Sequence, residues 1–439
     1  MLSQSEVLQF FQSYEFIDRP LVVALSGGVD SVALLLLMAE FRQQRGVTIS
    51  AIHVHHGLSQ NADIWAEYCV SLCEKLGISL GVEKVNILEK SRTSLEQQAR
   101  DARYQVIAEN VAEHSVVLTA HHLGDQAETL LFRLMRGAGS KGLSSMASVS
   151  DYPNVLGKSK SLTIARPFIN VEKGTLIQFV TDRGVTWIQD ESNWDNGFDR
   201  NFLRNQVLPL LKQRWSAAEK NIAKSATLLQ QEVEVLNEYL TADLELVKEV
   251  GFLEFECLNI KNVKQLTGPK RNLIVRLFVH GQTGSYPGQT LLEQINNQIF
   301  NAKEDQQPQV KIGKHVICRH RNSMYLITET KHLPLGMDIS SGVDVELEGP
   351  YFSRLNVSLV NAMDGQLKVK YGNLSAKLRP NSGNVSKTVK QLFKDAGCPV
   401  WFRPHMPLIF LDEQLIAVAN MFVEHSFRDQ IEVKLTNRA

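Results

Sequence analysis

The alternation of apolar runs with helical patterns over the first two hundred residues constrains this chain more than any other feature. "PLVVALS" reads as a buried strand and Ser31 to Gln44 as a helix. "VTISAIHVHHG" is a second strand, followed by the helical "NADIWAEYCVSLCEKLG", which ends at a C-cap glycine, Gly77. "ISLGVEKVN" and "SVVLTAHH" supply two more strands, each followed by a helix, "SLEQQARDARYQVIAENVAEH" and "LGDQAETLLFRLMRG". Helices of that length between strands predict a parallel, doubly wound α/β sheet. In such sheets ligands sit beyond the carboxyl ends of the strands. "LSGG", "HVHHG" and "LTAHHLGDQ" all fall at such ends, so one site is expected there.

The stretch "VVALSGGVDSVALLLLM" (Val22 to Met38) carries the first chemistry. A loop running from a strand into a helix aims several backbone N–H groups at one point, at the positive end of the helix dipole. Gly27 and Gly28 allow close backbone approach, and Ser26 and Ser31 can add hydroxyl donors. Residues Ser26, Gly27, Gly28, Val29, Asp30 and Ser31 therefore read as a phosphate cradle. The segment lacks G-x-x-x-x-G-K-[ST] and G-x-G-x-x-G, which excludes a γ-phosphate lysine and counts against a dinucleotide site. Asp30 inside an anion cradle calls for a cation beside it, and Mg²⁺ at the phosphates is the expected one.

At 439 residues the chain is expected to form more than one domain. From about Trp215 the long amphipathic "SAAEKNIAKSATLLQQEVEVLNEYLTADLELVKEV" opens a mainly helical region, with a hairpin at "KHVICRHRNSMYLITE". The expected domains are 1–215, 216–330 and 366–439, with 331–365 as a linker. Lys plus Arg equals Asp plus Glu, at 47 each, so any surface for nucleic acid has to be local. The five cysteines are scattered without a C-x-x-C pair, and the chain opens with no signal-peptide pattern. The apolar run "VALLLLMA" is too short for a bilayer, so a cytoplasmic protein without a membrane partner is expected.

"SGGVDS" resembles the PP-loop of N-type ATP pyrophosphatases, the adenine nucleotide alpha hydrolase-like fold, which cleave ATP to AMP and pyrophosphate. Four further stretches follow in order: "HVHHGLS", "LEQQARDARY", "HHLGDQAETLLFRLMRGAGSKGLSSM" and "WIQDESNWDNGFDRNFLRNQVLPLL". Together with "LRPNSGNVSKTVKQLFKDAGCPVWFRPHMPLIF" near the end, they resemble the tRNA(Ile)-lysidine synthase family. The resemblance is strong over 20–215 and again near the carboxyl terminus. It implies an α/β PP-loop domain, then a helical domain and a small α+β carboxyl-terminal domain. One departure stands out. The family commonly has H-H-x-D-D-Q-x-E-T, and Gly124 takes the place of the first aspartate, so Asp125 alone carries what the pair would share. The change is expected to be tolerated.

Asp125 and Glu128 are three apart on a helix that begins at a strand end, so both face the site. Two carboxylates there can bind an amino group, and one can accept a proton from it. The resemblance associates these positions with a lysine substrate. His53, His55, His56, His121 and His122 invite a zinc assignment, but nothing completes a tetrahedral set. Contacts to nucleotide or RNA phosphate suit them better, His121 first. Arg100, Arg103 and Arg136 are candidates for the pyrophosphate leaving group or for RNA, against the alternative of surface ion pairs. Arg200 and Arg204, four apart on a predicted helix, are implied to touch substrate. Between Lys368 and Arg403 eight basic residues face one acid, Asp395. Lys387, Lys390 and Lys394 are expected to gather on one side of a helix capped by Ser386. Trp401 and Phe402 either stack on bases or pack in the core.

The activity implied is ATP-dependent joining of free L-lysine to the wobble cytidine of an isoleucine tRNA with a CAU anticodon, forming lysidine. A PP-loop tRNA thiolation enzyme, a glutamine-fed ligase and a non-catalytic RNA-binding protein are the rivals. Thiolation needs a sulfur-carrying cysteine or an iron–sulfur cluster, for which the chain has no motif. No glutaminase-like nucleophile motif is visible either. Assembly is left open, a homodimer included.

Overall fold

The computed structural model describes residues 3–55, 57, 61–85, 95–152, 162–303, 306–330, 332–359, 365–380 and 385–438. The chain divides into two compact units, Met1–Asn237 and Glu238–Ala439. Among the described residues no helix is long and apolar enough to cross a membrane.

In the first unit α1 (Gln4–Ser13) begins at a capping box in which the side chains of Ser3 and Glu6 each accept the other residue's backbone N–H. Then follow β1 (Leu21–Ala24), α2 (Val29–Arg45), β2 (Ile49–His55), α3 (Ala62–Leu76), β3 (Ser79–Lys84), α4 (Leu95–Asn110), β4 (Val116–Leu118) and α5 (Leu123–Met135). The remainder is α6 (Ser140–Leu143), β5 (Val149–Tyr152), β6 (Leu162–Ala165), α7 (Lys173–Thr181), α8 (Asp199–Phe202), α9 (Leu208–Arg214) and the first part of α10 (Ala218–Val247), which continues past Asn237. The sheet order is β3-β2-β1-β4-β6-β5, parallel except for β5, which pairs antiparallel with β6. Both faces are covered, as the run of apolar residues requires. Leu21 and Val23 of β1 pack with Val32, Leu35 and Met38 of α2 on one face. Val22 packs with Tyr104 and Ile107 of α4 on the other.

The chain winds outward from β1 to β3 and then returns to the opposite side of β1 for β4. The switch point therefore lies between the carboxyl ends of β1 and β4, where a crevice opens in sheets of this kind. The phosphate-loop candidate leaves β1 and the His121–Glu128 segment leaves β4, so topology brings these two together.

The stretch expected to be mainly helical, 216–330, is largely helix, and in the second unit it also contributes strands. Besides helices at Ile260–Gln265, Gly268–Thr283 and Gln289–Gln294, it holds a five-stranded antiparallel sheet. The expected hairpin is present as His315–His320 paired with Ser323–Thr328. The stretch 331–365, expected as a linker, contributes strands Met337–Ile339, Asp344–Glu346 and Phe352–Leu359. Met337–Ile339 pairs with Leu367–Lys370 and Asp344–Glu346 with Phe352–Leu359, which in turn pairs with Ile431–Asn437 far along the chain. Phe352, Leu355 and Val357 are buried in the same core as Phe393 and Ile409.

Candidate active site

The loop after β1 is built around one hydroxyl. Ser31 Oγ accepts the N–H groups of Ser26 and Gly27, both at 3.2 Å, and donates to the Gly28 carbonyl at 3.0 Å. Ser31 thus braces the loop from within and does not offer its hydroxyl outward. Gly27 has φ +87°, and a Cβ there would lie 2.3 Å from Ile188 Cδ1. Glycine is required on both counts, conformation and room. α2 starts at Gly28 without a side-chain cap, which leaves its N-terminal N–H groups to a ligand. His53 supports the loop from β2: its Nδ1 donates to the Leu25 carbonyl at 2.8 Å. Burial pushes the His53 ring down from its ordinary value, which keeps it neutral.

Asp30, in the first turn of α2, is largely buried, and burial pushes its carboxyl up. Oδ2 has His122 Nε2 at 3.9 Å and Lys173 Nζ at 4.0 Å, while Oδ1 is buried without a hydrogen-bond partner. A buried carboxylate oxygen left unsatisfied beside a phosphate cradle suits a divalent cation, which binds through one or two carboxylates and substrate phosphates. The donor set therefore fits Mg²⁺.

Facing this loop, α5 begins at His122. The His122 N–H donates to Asp125 Oδ2 at 2.9 Å, and the Gly124 N–H donates to His122 Nδ1 at 3.0 Å, closing a reciprocal cap. Asp125 and Glu128 do share a face, and one guanidinium joins them. Arg204 Nε and Nη2 donate to the two Glu128 oxygens at 2.6 and 2.8 Å, and Nη2 reaches Asp125 Oδ1 at 3.3 Å. Burial opposes ionisation of Asp125, but His122, His121 and Arg204 hold it below the usual carboxylate range. Burial pushes Glu128 up, with Arg204 working against the shift. The two carboxylates are thus driven apart in acidity. Arg204 lies in the π-helical turn Leu203–Val207, between α8 and α9.

Arg200 Nη2 donates to Thr129 Oγ1 at 2.9 Å on the same side of α5. His121 pairs with Thr119 Oγ1 at 2.9 Å, and burial pushes its ring down to about 3, aided by the charges of Arg166, Arg100 and Arg200. Arg166, at the end of β6, was not singled out from sequence. It is buried and donates to the Ala147 carbonyl and Ser150 Oγ. The signal was present in "TIARP", an arginine at another strand end. Lys173, at the start of α7, was missed too. Arg103 lies on α4 with its charge felt at His53. Arg136 caps the exposed carboxyl end of α5, lies over the Phe132 ring and comes within 4.0 Å of Asp199. His55 approaches Asp63 at 3.2 Å, and His56 lies outside the described residues. Among the described residues no cluster of three or more His, Cys, Asp or Glu is placed to hold a metal ion.

All five cysteines are buried. Cys69, on α3, reaches beneath the phosphate loop, with Sγ 3.6 Å from His53 Nδ1. Burial pushes the Cys69 thiol up to about 12 and that of Cys73 up to about 11, so neither carries a thiolate near neutral pH.

In the second unit the helix Val389–Asp395 is capped by Thr388 and not by Ser386, because Gln391 completes a capping box with Thr388. Lys387 precedes the helix in a short strand and pairs with Asp395 at 2.6 Å. Lys390 and Lys394 are exposed, with no ion pair among the described residues. Phe402 is fully buried and stacks on Phe255 at 4.7 Å, while Trp401 packs edge-on against Tyr325, so both belong to the core.

Residues 2–211 match the PP-loop domain, 258–325 the TilS substrate binding domain and 367–435 the TilS substrate C-terminal domain. The tRNA(Ile)-lysidine synthase of Vibrio atlanticus is 33% identical over 93% of this chain and 94% of its own length. That of Actinobacillus pleuropneumoniae serotype 3 is 35% identical over 93% and 98%, and that of Shigella flexneri 35% over 92% and 93%. With these relatives 33–35% identical over more than nine-tenths of both chains, and the PP-loop domain matched over 2–211, the chain belongs to the tRNA(Ile)-lysidine synthase family.

Proposed function

We propose that this protein joins free L-lysine to C2 of the wobble cytidine in an isoleucine tRNA with a CAU anticodon, converting ATP to AMP and pyrophosphate. The observation that carries this reading is the placement of Asp125 and Glu128 across a switch-point crevice from the uncapped start of α2. One side of the crevice suits phosphates and the other suits an amine.

The order of events follows from the leaving groups. The cytidine 2-oxygen first attacks the α-phosphorus of ATP, and pyrophosphate departs. The lysine ε-amine then attacks C2, loses a proton, and AMP leaves with the former 2-oxygen. The N-terminal N–H groups of α2 hold phosphate oxygens, and Arg100, Arg166 and Arg200 supply positive charge around neutral His121 for a departing anion or the tRNA backbone. Asp30 is the residue that would hold Mg²⁺, which when bound supplies charge neutralisation at the phosphates. Asp125, held ionised, anchors an ammonium, and Glu128, pushed up, is the better proton acceptor. Amine binding at Glu128 has to exchange with the Arg204 fork.

Lys390 and Lys394, with the regions 216–330 and 366–439, are assigned to tRNA shape recognition in the cytoplasm, where the substrate is found. The neutral, buried cysteines speak against sulfur transfer. The test is incubation with ATP, Mg²⁺, radiolabelled lysine and this tRNA. Label on the tRNA only when the wobble base is cytidine is the expected result. Label from a sulfur donor instead would overturn the reading.

A further inference from the structure

Gly124 and His122 form a pair that the reaction scheme above does not use. Gly124 has an ordinary helical backbone inside α5, so its lack of a side chain concerns room and not conformation. A Cβ at Gly124 would lie 2.8 Å from His122 Cε1 and 3.1 Å from Nδ1, both atoms of the imidazole. A side chain at residue 124 would therefore force the ring to shift from the position seen here. In this rotamer Nδ1 accepts the Gly124 N–H, so Nε2 is the ring nitrogen that carries a proton. Nε2 lies 3.9 Å from Asp30 Oδ2 and 3.7 Å from Asp125 Oδ2, and the residue is only 4% exposed. The remaining charges facing this spot are Lys173, beside Asp30, and Arg204, beside Asp125.

We propose that His122, in the rotamer that Gly124 permits, is a positioning residue that ties the phosphate-side carboxylate of Asp30 to the amine-side carboxylate of Asp125. A ring N–H between two acidic groups, farther from each than a hydrogen bond, offsets their mutual repulsion electrostatically, so binding on one side of the crevice is felt on the other. The inference rests on the proposed lysine reaction for its amine side, but its ATP side can be read without lysine.

The test is a double-mutant cycle on the full-length chain. His122→Ala and Gly124→Ala are each expected to raise the Kd for ATP, measured calorimetrically without lysine, and the KM for lysine, by roughly tenfold, the size of one lost charge-assisted contact. Because the obstacle at residue 124 is the ring itself, adding Gly124→Ala to His122→Ala should cost nothing more. His122→Asn separates capping from bridging. Asparagine restores the N-cap and the Tm, yet cannot reach Asp30, so its kinetic defect should persist. Additive losses in the double variant, a wild-type Gly124→Ala enzyme, or kinetic rescue by His122→Asn would each overturn the proposal. Failure of the wild-type chain to label tRNA with lysine would instead overturn the functional reading, leaving the ATP arm of the cycle to decide this one.

Discussion

Replacing Arg204 by methionine strips Glu128 of its bidentate partner while keeping most of the side-chain volume. The Glu128 side chain is 4% exposed and that of Arg204 33%, so the carboxylate is left in the interior without a counter-charge. Breaking such a pair typically costs about 3–5 kcal/mol. Protonation sets a ceiling. Neutralising Glu128 at pH 7 from its ordinary value of 4.5 costs about 3.4 kcal/mol, at 1.36 kcal/mol per unit. The folded variant takes that route once the burial cost exceeds it. A loss of about 2–3.4 kcal/mol is therefore expected at pH 7, shrinking to about 1 kcal/mol at pH 5. The sign follows from linkage: with its folded pKa above the unfolded value, Glu128 binds more protons in the folded state, so the variant loses stability as pH rises. Urea unfolding followed by tryptophan fluorescence reads this directly, since Trp65, Trp187, Trp194 and Trp215 lie in the first unit and only Trp401 in the second. A penalty equal at both pH values, or one below about 0.5 kcal/mol at pH 7, would refute the buried-charge argument.

Other expectations follow from the same geometry. Gly27→Ala combines a left-handed φ with a clash against Ile188, so ATP binding should fall at least about tenfold by calorimetry while tRNA binding holds; unchanged ATP affinity would show that the loop tolerates a side chain. Asp30→Ala should abolish pyrophosphate release from ATP and tRNA, read by phosphate-coupled assay, without loss of tRNA retention on filters. Lys390→Glu and Lys394→Glu should weaken tRNA binding and lower the slope of log K against log salt by about 0.7–1 per lysine. Lys387→Gln, which removes a residue already paired with Asp395, should change that slope less.

The parts of this molecule read correctly from sequence are those in which local pattern and global fold agree. Buried strands β1, β2 and β4 show as apolar runs, and their helices show as periodic stretches, so the carboxyl-end crevice could be located before any contact was known. Asp125 and Glu128 were placed on one face by spacing alone. What escaped depends on non-local pairing or on rotamers. Strands Asp344–Glu346 and Phe352–Leu359 sit in a Gly- and Ser-rich stretch that resembles a linker; they pair with each other, and Phe352–Leu359 is joined to the distant Ile431–Asn437. Thr388 displaced Ser386 as the cap because Gln391 lies three residues beyond Thr388, a signal that had been available. Arg166 shows in the sequence only as an arginine at a strand end, and Lys173 not at all, because one lysine looks like any other until the fold brings it to the site.

The burial of every cysteine has a practical reach beyond the question of sulfur chemistry. With Cys69, Cys318 and Cys398 pushed up to about 12, and Cys73 and Cys257 up to about 11, the native chain offers alkylating reagents and oxidants almost no reactive thiolate. A single cysteine introduced at an exposed site, such as Trp194→Cys, would thus be the one fast-labelling position on an otherwise wild-type background. Dyes or spin labels placed in pairs within one unit in this way would report on distances there, with no need for a cysteine-free variant and its weakened core.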